Sequence, residues 1–269
     1  MKKSAIALAL AATLSLVGSA FAGDLVIKGS TTVLPIAQSA AEKFMESNSD
    51  VAITVSGGGS GNGIKAIIDG TTDVANASRF IKNKEVKAAV ENGTYPVPFA
   101  VAMDALIPVV HPSNQIKDLS IEQLKKIYKG EITNWKEVGG ADARIAVVGR
   151  DTSSGTYEVW EEKIMNKDRV TQRALVVASN GAMVQTVAKN KLAIGYIGLG
   201  YLDKSVNSLT VGGVEGKVKS VLDGDYPVSR YLYMFTKGWP TGDTLKFINF
   251  VLSDAGQEIV GNTGYIPLR

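Results

Sequence analysis

The chain has no cysteine, one histidine and few aromatic residues. Without cysteine it has no disulfide frame, no thiolate metal site and no thiol for lipid attachment. With His111 as the single imidazole, a His-based triad or a His-rich metal site has little to draw on. His111 sits beside Pro112 at the end of an apolar run and reads as a loop residue. No Asp, Glu and His cluster shows metal-ligand spacing, so no metal and no cofactor is expected. Long apolar runs are also missing beyond the N-terminus, so no spanning helix or membrane insertion is expected there. Charge of one sign is lacking too. Without Lys2 and Lys3 the formal charge of +3 falls to +1, a poor basis for nucleic acid or membrane-surface binding.

What is present begins with an export signal over residues 1–22. Lys2 and Lys3 form a basic region, Ala5 to Val17 an apolar one, and Ala20-Phe21-Ala22 a small-residue cleavage pattern. Cleavage after Ala22 would leave about 247 residues, enough for one large or two medium domains. An exported chain with no lipid anchor points to the periplasm of a double-membraned bacterium.

Apolar strand-like runs alternate with helical ones. Leu25–Lys28, Val51–Val55 and Val74–Ala77 read as strands, and the first two lead through Ser/Thr/Gly loops into helices. Pro35 marks the first turn of one helix, with Ile36, Ala40 and Phe44 on its apolar face. Tyr95–His111 reads as two strands, or one long one, crossing between two lobes. Ile121–Tyr128 is amphipathic, and Ala182–Asn190 reads as a helix capped by Asn180. Ser229–Thr236 reads as a strand returning to the first lobe, before closing helices at Thr244–Leu252 and Ala255–Val260. The fold class is α/β, with a mostly parallel sheet whose ligands sit at strand carboxyl ends. Lys82–Lys87 reads as a solvated helix face.

The stretch Gly149 to Thr156 carries the clearest chemistry. It joins the strand Ile145–Val148 to a helix from Tyr157 to Met165. The first amides of a helix have no intrahelical partner and carry partial positive charge, so this junction suits an anion. Ser154 and Thr156 add hydroxyls, Gly155 allows close approach, and Arg150 adds a planar fork of donors. A Ser/Thr-capped helix beside a surface Arg is the plainer alternative.

Three more donor clusters stand at strand ends: Ser30-Thr31-Thr32, Ser60, and Ser78-Arg79. The Gly57–Gly63 loop that holds Ser60 is no dinucleotide fingerprint, since no glycine follows Gly61 three residues on. It lacks the Gly-Lys-Ser/Thr of a nucleotide P-loop, and Asn62 breaks the hydrolase Gly-x-Ser-x-Gly pattern. Four donor clusters without a nucleophile–base pair describe a dehydrated oxyanion held between lobes, and not an enzyme.

Taken together, these segments resemble the substrate-binding proteins of bacterial phosphate ABC transporters. The resemblance rests on Gly29–Pro35, Gly57–Gly63, Ala77-Ser78-Arg79, Gly130–Trp135, Arg150–Thr156, Ala193–Tyr196 and Tyr226–Arg230. It implies a two-lobed periplasmic binding protein fold of type II, with mixed sheets flanked by helices and a two-strand hinge. The corresponding lobes are 23–102 plus 231–269, and 103–230. It implies phosphate contacts from Thr31, Thr32, Ser60, Arg150, Ser154, Gly155 and Thr156, delivery to a membrane permease, and a monomer.

One departure stands out. Many members carry an Asp, which accepts the proton of hydrogen phosphate, where this chain has Ser78-Arg79. Here Arg79 adds a donor, and Asp151 is the candidate acceptor. Sulfate, molybdate or tungstate binding, and an exported phosphatase or esterase using His111, remain alternatives.

Overall fold

The computed structural model describes residues 22–269; the export signal at 1–22 lies outside the described residues except for Ala22. Among the described residues eleven strands occur in chain order. These are β1 (Ala22–Gly29), β2 (Val51–Ser56), β3 (Val74–Ala77), β4 (Pro96–Val110), β5 (Asp118–Leu119), β6 (Ala146–Arg150), β7 (Leu175–Val177), β8 (Ala193–Gly198), β9 (Asn207–Ser208), β10 (Thr210–Val211) and β11 (Ser229–Lys237). The α-helices are α1 (Leu34–Ser47), α2 (Ser60–Ile68), α3 (Asn83–Glu91), α4 (Ile121–Lys129), α5 (Gly155–Lys163), α6 (Asn180–Ala188), α7 (Val218–Leu222), α8 (Gly242–Leu252) and α9 (Asp254–Asn262).

Nine strands form one curled sheet in the order β2-β1-β3-β11-β4-β8-β6-β7, with β9 added against β4. Parallel pairs β1–β2, β1–β3, β6–β8 and β6–β7 flank a central antiparallel pair, β4–β11. The sheet is therefore mixed and not mostly parallel. Tyr95–His111 proves to be one strand. Its first half pairs with β11 and its second half with β8, so the two halves of the sheet are continuous through β4.

Apolar burial divides along that strand. Leu25, Ile27, Val74, Val101, Ala102, Leu232, Met234 and Phe247 belong to one core, joined in the same half of the sheet by a smaller cluster of Ile64, Ile67, Ala75, Ala77 and Phe235 under α2. Ala105, Leu106, Ile107, Val109, Trp160, Tyr196 and Val228 belong to another. The crossover falls between Ala102 and Ala105 on β4, and between Val228, just before β11, and Leu232 on it. Each fully buried aliphatic side chain contributes roughly 1.5–3 kcal/mol, so each core anchors the loops at its own strand ends. In the second core, Trp160 of α5 stacks on Tyr196 of β8 at 4.3 Å with an interplanar angle of 6°. Tyr196 Oη also accepts the amide of Arg150 at 3.3 Å. This ties the start of the anion-suited loop to the core beneath it.

Helix starts differ from the sequence pattern in a consistent way. The apolar period shows where a helix is buried, not where its backbone first turns. Thus α2 begins at Ser60 and α5 at Gly155, each earlier than its first apolar residue. Asn180 is not the cap of α6. Ser179 caps it by accepting the amide of Ala182 at 3.0 Å, which frees Asn180, the first helical residue, for another task.

Candidate anion site

The carboxyl ends of β1, β2, β3 and β6 bring the predicted donors together. Ser154 caps α5, its Oγ accepting the amide of Tyr157 at 3.2 Å. The first intrahelical amide is that of Glu158, bonded to the Ser154 carbonyl. The amides of Gly155 and Thr156 therefore precede the helical ladder and carry its positive end. A Cβ on Gly155 would stand 2.4 Å from Ser60 Oγ and 2.8 Å from Ser78 Oγ. Only glycine lets α5 come this close to the other core. Gly59 adopts φ +99° and lies against the Ser153 carbonyl, and the next turn is pinned by a bond from the Gly61 amide to Ser153 O at 2.9 Å.

Thr31, Thr32, Ser60, Ser78, Arg150, Ser154 and Thr156 are all buried at this meeting point. Thr32 Oγ1 and Thr156 Oγ1 are 2.9 Å apart, and Ser60 Oγ and Ser78 Oγ are 3.2 Å apart. Arg150 donates through Nε to Val177 O at 3.1 Å, and through Nη2 to Ala178 O at 3.0 Å and Thr31 Oγ1 at 3.4 Å. Its Nη1 is buried with no protein acceptor. An orphaned guanidinium donor is costly unless something else accepts from it. Burial pushes the Arg150 guanidinium down from its ordinary value and the charge of Arg230 adds to this, against Tyr196 and Asp151. Negative charge at Nη1 would relieve both effects.

Three predicted residues have other tasks. Ser30 Oγ accepts the amide of Thr32 at 3.1 Å and so shapes its own turn. Arg79 does not face the cluster. It donates to Glu85 at 2.7 and 2.8 Å and to Phe80 O at 2.9 Å, and its Nε lies 2.6 Å from Glu158 of α5. Two carboxylates hold it, so it bridges the two cores as an ion pair and is not an anion donor. Asp151 Oδ1 accepts both the amide and the hydroxyl of Ser153, closing a local turn at the rim. Its Oδ2 lies 4.0 Å from Arg150 Nη2. His111 is held through Nδ1 by Ser113, away from the site.

The sequence pattern missed Asp104, Arg230 and Asn180. Asp104 and Arg230 are cross-strand partners on β4 and β11. Arg230 donates to Asp104 Oδ2 at 2.9 and 2.7 Å, and through Nη2 to Thr156 Oγ1 at 3.1 Å and Thr32 Oγ1 at 3.3 Å. Burial pushes the Asp104 carboxyl up, while Arg230 and the amides of Leu199 and Ala105 pull it back. Asn180 donates to Thr31 Oγ1 at 3.3 Å and Thr32 Oγ1 at 3.0 Å. Tyr201 completes the wall, donating to Thr31 O at 2.7 Å. The one signal for Asp104 was a charge interrupting the apolar run from Val97 to Val110.

The site thus holds two buried guanidiniums against one buried carboxylate, with hydroxyls and helix-start amides from both cores. Among the described residues no group of three His, Cys, Asp or Glu side chains could hold a metal ion. No helix among them is long and apolar enough to cross a membrane.

Residues 17–255 match the family model described as a PBP superfamily domain. The chain is 36% identical over 251 residues to the phosphate-binding protein PstS of Bacillus subtilis, covering 91% of this chain and 81% of that protein. The chain belongs to this family. A solved structure from Clostridium perfringens, described as a phosphate ABC transporter substrate-binding protein with bound phosphate, superposes with a TM-score of 0.87. It shares 36% identity and covers 92% of this chain and 100% of its own. An ABC-type phosphate transport receptor from Vibrio cholerae superposes with a TM-score of 0.74 at 35% identity, over 90% of this chain and 99% of its own. The mixed, curled α/β sheet described above is the fold of these family members.

Proposed function

We propose that the chain binds inorganic phosphate and hands it to the permease of an ABC transporter. The observation that carries this is Arg150 Nη1, a buried guanidinium donor with no protein acceptor, set beside the start of α5. A tetrahedral oxyanion meets its geometry and its charge. Hydrogen bonds to a charged group contribute roughly 1.5–3 kcal/mol each, so several together reach micromolar affinity after desolvation. The relatives named for phosphate favour that ion over sulfate, molybdate or tungstate.

In this reading the two cores are two lobes, 23–102 plus 231–269 and 103–230, that close on the ion about β4 and β11. Thr31, Ser60, Arg150, Gly155 and Thr156 contact it, and Thr32, Asn180 and Arg230 orient those contacts. The protein works as a periplasmic monomer after cleavage behind Ala22 and performs no catalysis. Calorimetric titration of ion-stripped protein tests this. Heat at micromolar phosphate, with weak competition from sulfate and molybdate, is the expected result. Heat with sulfate or molybdate alone reassigns the ligand. Turnover of a chromogenic phosphoester, lost in His111→Ala, replaces binding with hydrolysis.

A further inference from the structure

The hydroxyls around the site are not equivalent, because their surroundings fix which way their hydrogens point. Arg150 and Arg230 can only donate. Asn180 is fixed as well: its Oδ1 accepts the Gly198 amide at 3.2 Å, which turns its Nδ2 toward the threonines. Thr31 Oγ1 accepts from Arg150 and Asn180, which fills both lone pairs. Thr32 Oγ1 accepts from Asn180, and Arg230 Nη2, with one hydrogen on Asp104, shares its other between Thr32 and Thr156. Thr32 Oγ1 and Thr156 Oγ1 share a further hydrogen at 2.9 Å. With donors converging on it from Arg150, Asn180 and Arg230, the threonine side chiefly offers hydrogens to an anion.

The Ser60–Ser78 pair differs. Ser60 Oγ accepts the Ser78 amide at 3.0 Å and shares one hydrogen with Ser78 Oγ at 3.2 Å. If Ser78 gives that hydrogen, Ser60 offers its own to the anion and Ser78 keeps two free lone pairs. If Ser60 gives it, Ser78 offers a hydrogen and each oxygen keeps one free lone pair. Either way the pair presents one hydrogen and at least one open acceptor. Both hydroxyls are fully buried and stand against Gly155 at the start of α5. Of the nearby carboxylates, Asp104 is engaged by Arg230 and the Leu199 amide, and Asp151 lies at the rim with Oδ1 on Ser153 and Oδ2 4.0 Å from Arg150 Nη2.

We propose that the Ser60–Ser78 hydroxyl pair, with Ser78 Oγ as its principal acceptor, receives the proton of hydrogen phosphate and so distinguishes it from fully ionised sulfate. The proposal rests on the phosphate reading above and names the group that sets its specificity. Hydrogen phosphate fills the open lone pair with its P–OH. Sulfate has no hydrogen to give and places an oxygen against that lone pair, leaving a buried acceptor unpaired. Asn76 on β3 is the rival acceptor, being fully buried with neither side-chain polar atom bonded.

The test is calorimetric titration of native protein, Ser78→Ala and Ser78→Cys with inorganic phosphate and with sulfate. Thermal melting confirms that each variant is folded. Cysteine keeps the approximate shape with a weak acceptor, so it decides the matter if the alanine variant does not fold. The expected result is a phosphate-to-sulfate affinity ratio that falls by about tenfold or more in the folded variants. Ser78→Asp, with a stronger acceptor, raises the ratio. A ratio unchanged in folded Ser78→Ala or Ser78→Cys overturns the proposal, as does a ratio that collapses in Asn76→Leu alone. Native protein that binds no phosphate refutes the functional reading instead, so the two failures are distinct.

Discussion

Gly155→Ala isolates the closing of the two cores from everything else the site does. Alanine keeps the amide of residue 155 and is a better helix residue than glycine, so the segment around α5 loses nothing. Its added methyl finds its three nearest atoms across the site on Ser60 and Ser78. It would lie 2.4 Å from Ser60 Oγ, 2.8 Å from Ser78 Oγ and 2.9 Å from Ser60 Cβ. Three contacts that short cannot be absorbed without moving α5 away from α2. Overpacking of this kind costs about 1–3 kcal/mol. In the proposed closure the methyl clashes when the cores meet on the ion, so that cost falls on the ligand-bound state. At about 1.4 kcal/mol per tenfold, affinity for phosphate should drop by roughly 5- to 150-fold. Calorimetry measures the drop, and a melting curve without phosphate should show no loss of stability. Native-like affinity in Gly155→Ala would refute the claim that α5 and the Ser60–Ser78 pair close on one another around the ligand.

Other perturbations test other parts. Arg150→Ala removes the orphaned donor and should weaken phosphate binding by about 10- to 100-fold, as measured by calorimetry. Asp104→Ala leaves Arg230 buried without its carboxylate and should cost about 3–5 kcal/mol in urea unfolding. Added phosphate should recover part of that loss, because it returns a counter-charge. Burial works against the charge of Glu85, but Arg79, the Lys82 amide and the Lys82 charge outweigh it, holding the carboxyl below its ordinary value of 4.5. The stability Glu85 contributes is therefore present above that value and is lost as pH falls through the depressed one. Melting temperatures of native protein and Glu85→Gln should differ at neutral pH and converge in acid.

The local chemistry of the site was legible in the sequence because capping is local. Ser154, Gly155 and Thr156 announce an open helix start within three residues, whereas Ser60 is the first residue of α2, behind Gly59 and with no side-chain cap. Residues whose role depends on register were not legible. Asp104 and Arg230 meet only because β4 and β11 pair in one alignment, 126 residues apart along the chain. Arg79 shows the reverse failure. Its residue type suits an anion, but Glu85, six residues on, and Glu158 of the other core claim it first. Asn180 looked like a cap because caps and buried donors use the same side chains, and Ser179 took the cap. The alternation of strand, loop and helix predicts a mostly parallel sheet because each half obeys that rule locally. The antiparallel strands that join the halves, β4 and β11, are separated along the chain by the whole second half of the sheet, so no local pattern signals their direction.

A crystal structure of the phosphate complex tests the central claim most directly. The account predicts one tetrahedral ion within hydrogen-bonding distance of Arg150 Nη1, the Gly155 and Thr156 amides, and the hydroxyls of Thr31 and Ser60. An ion held by groups of one core only, or seated away from Arg150, would contradict it.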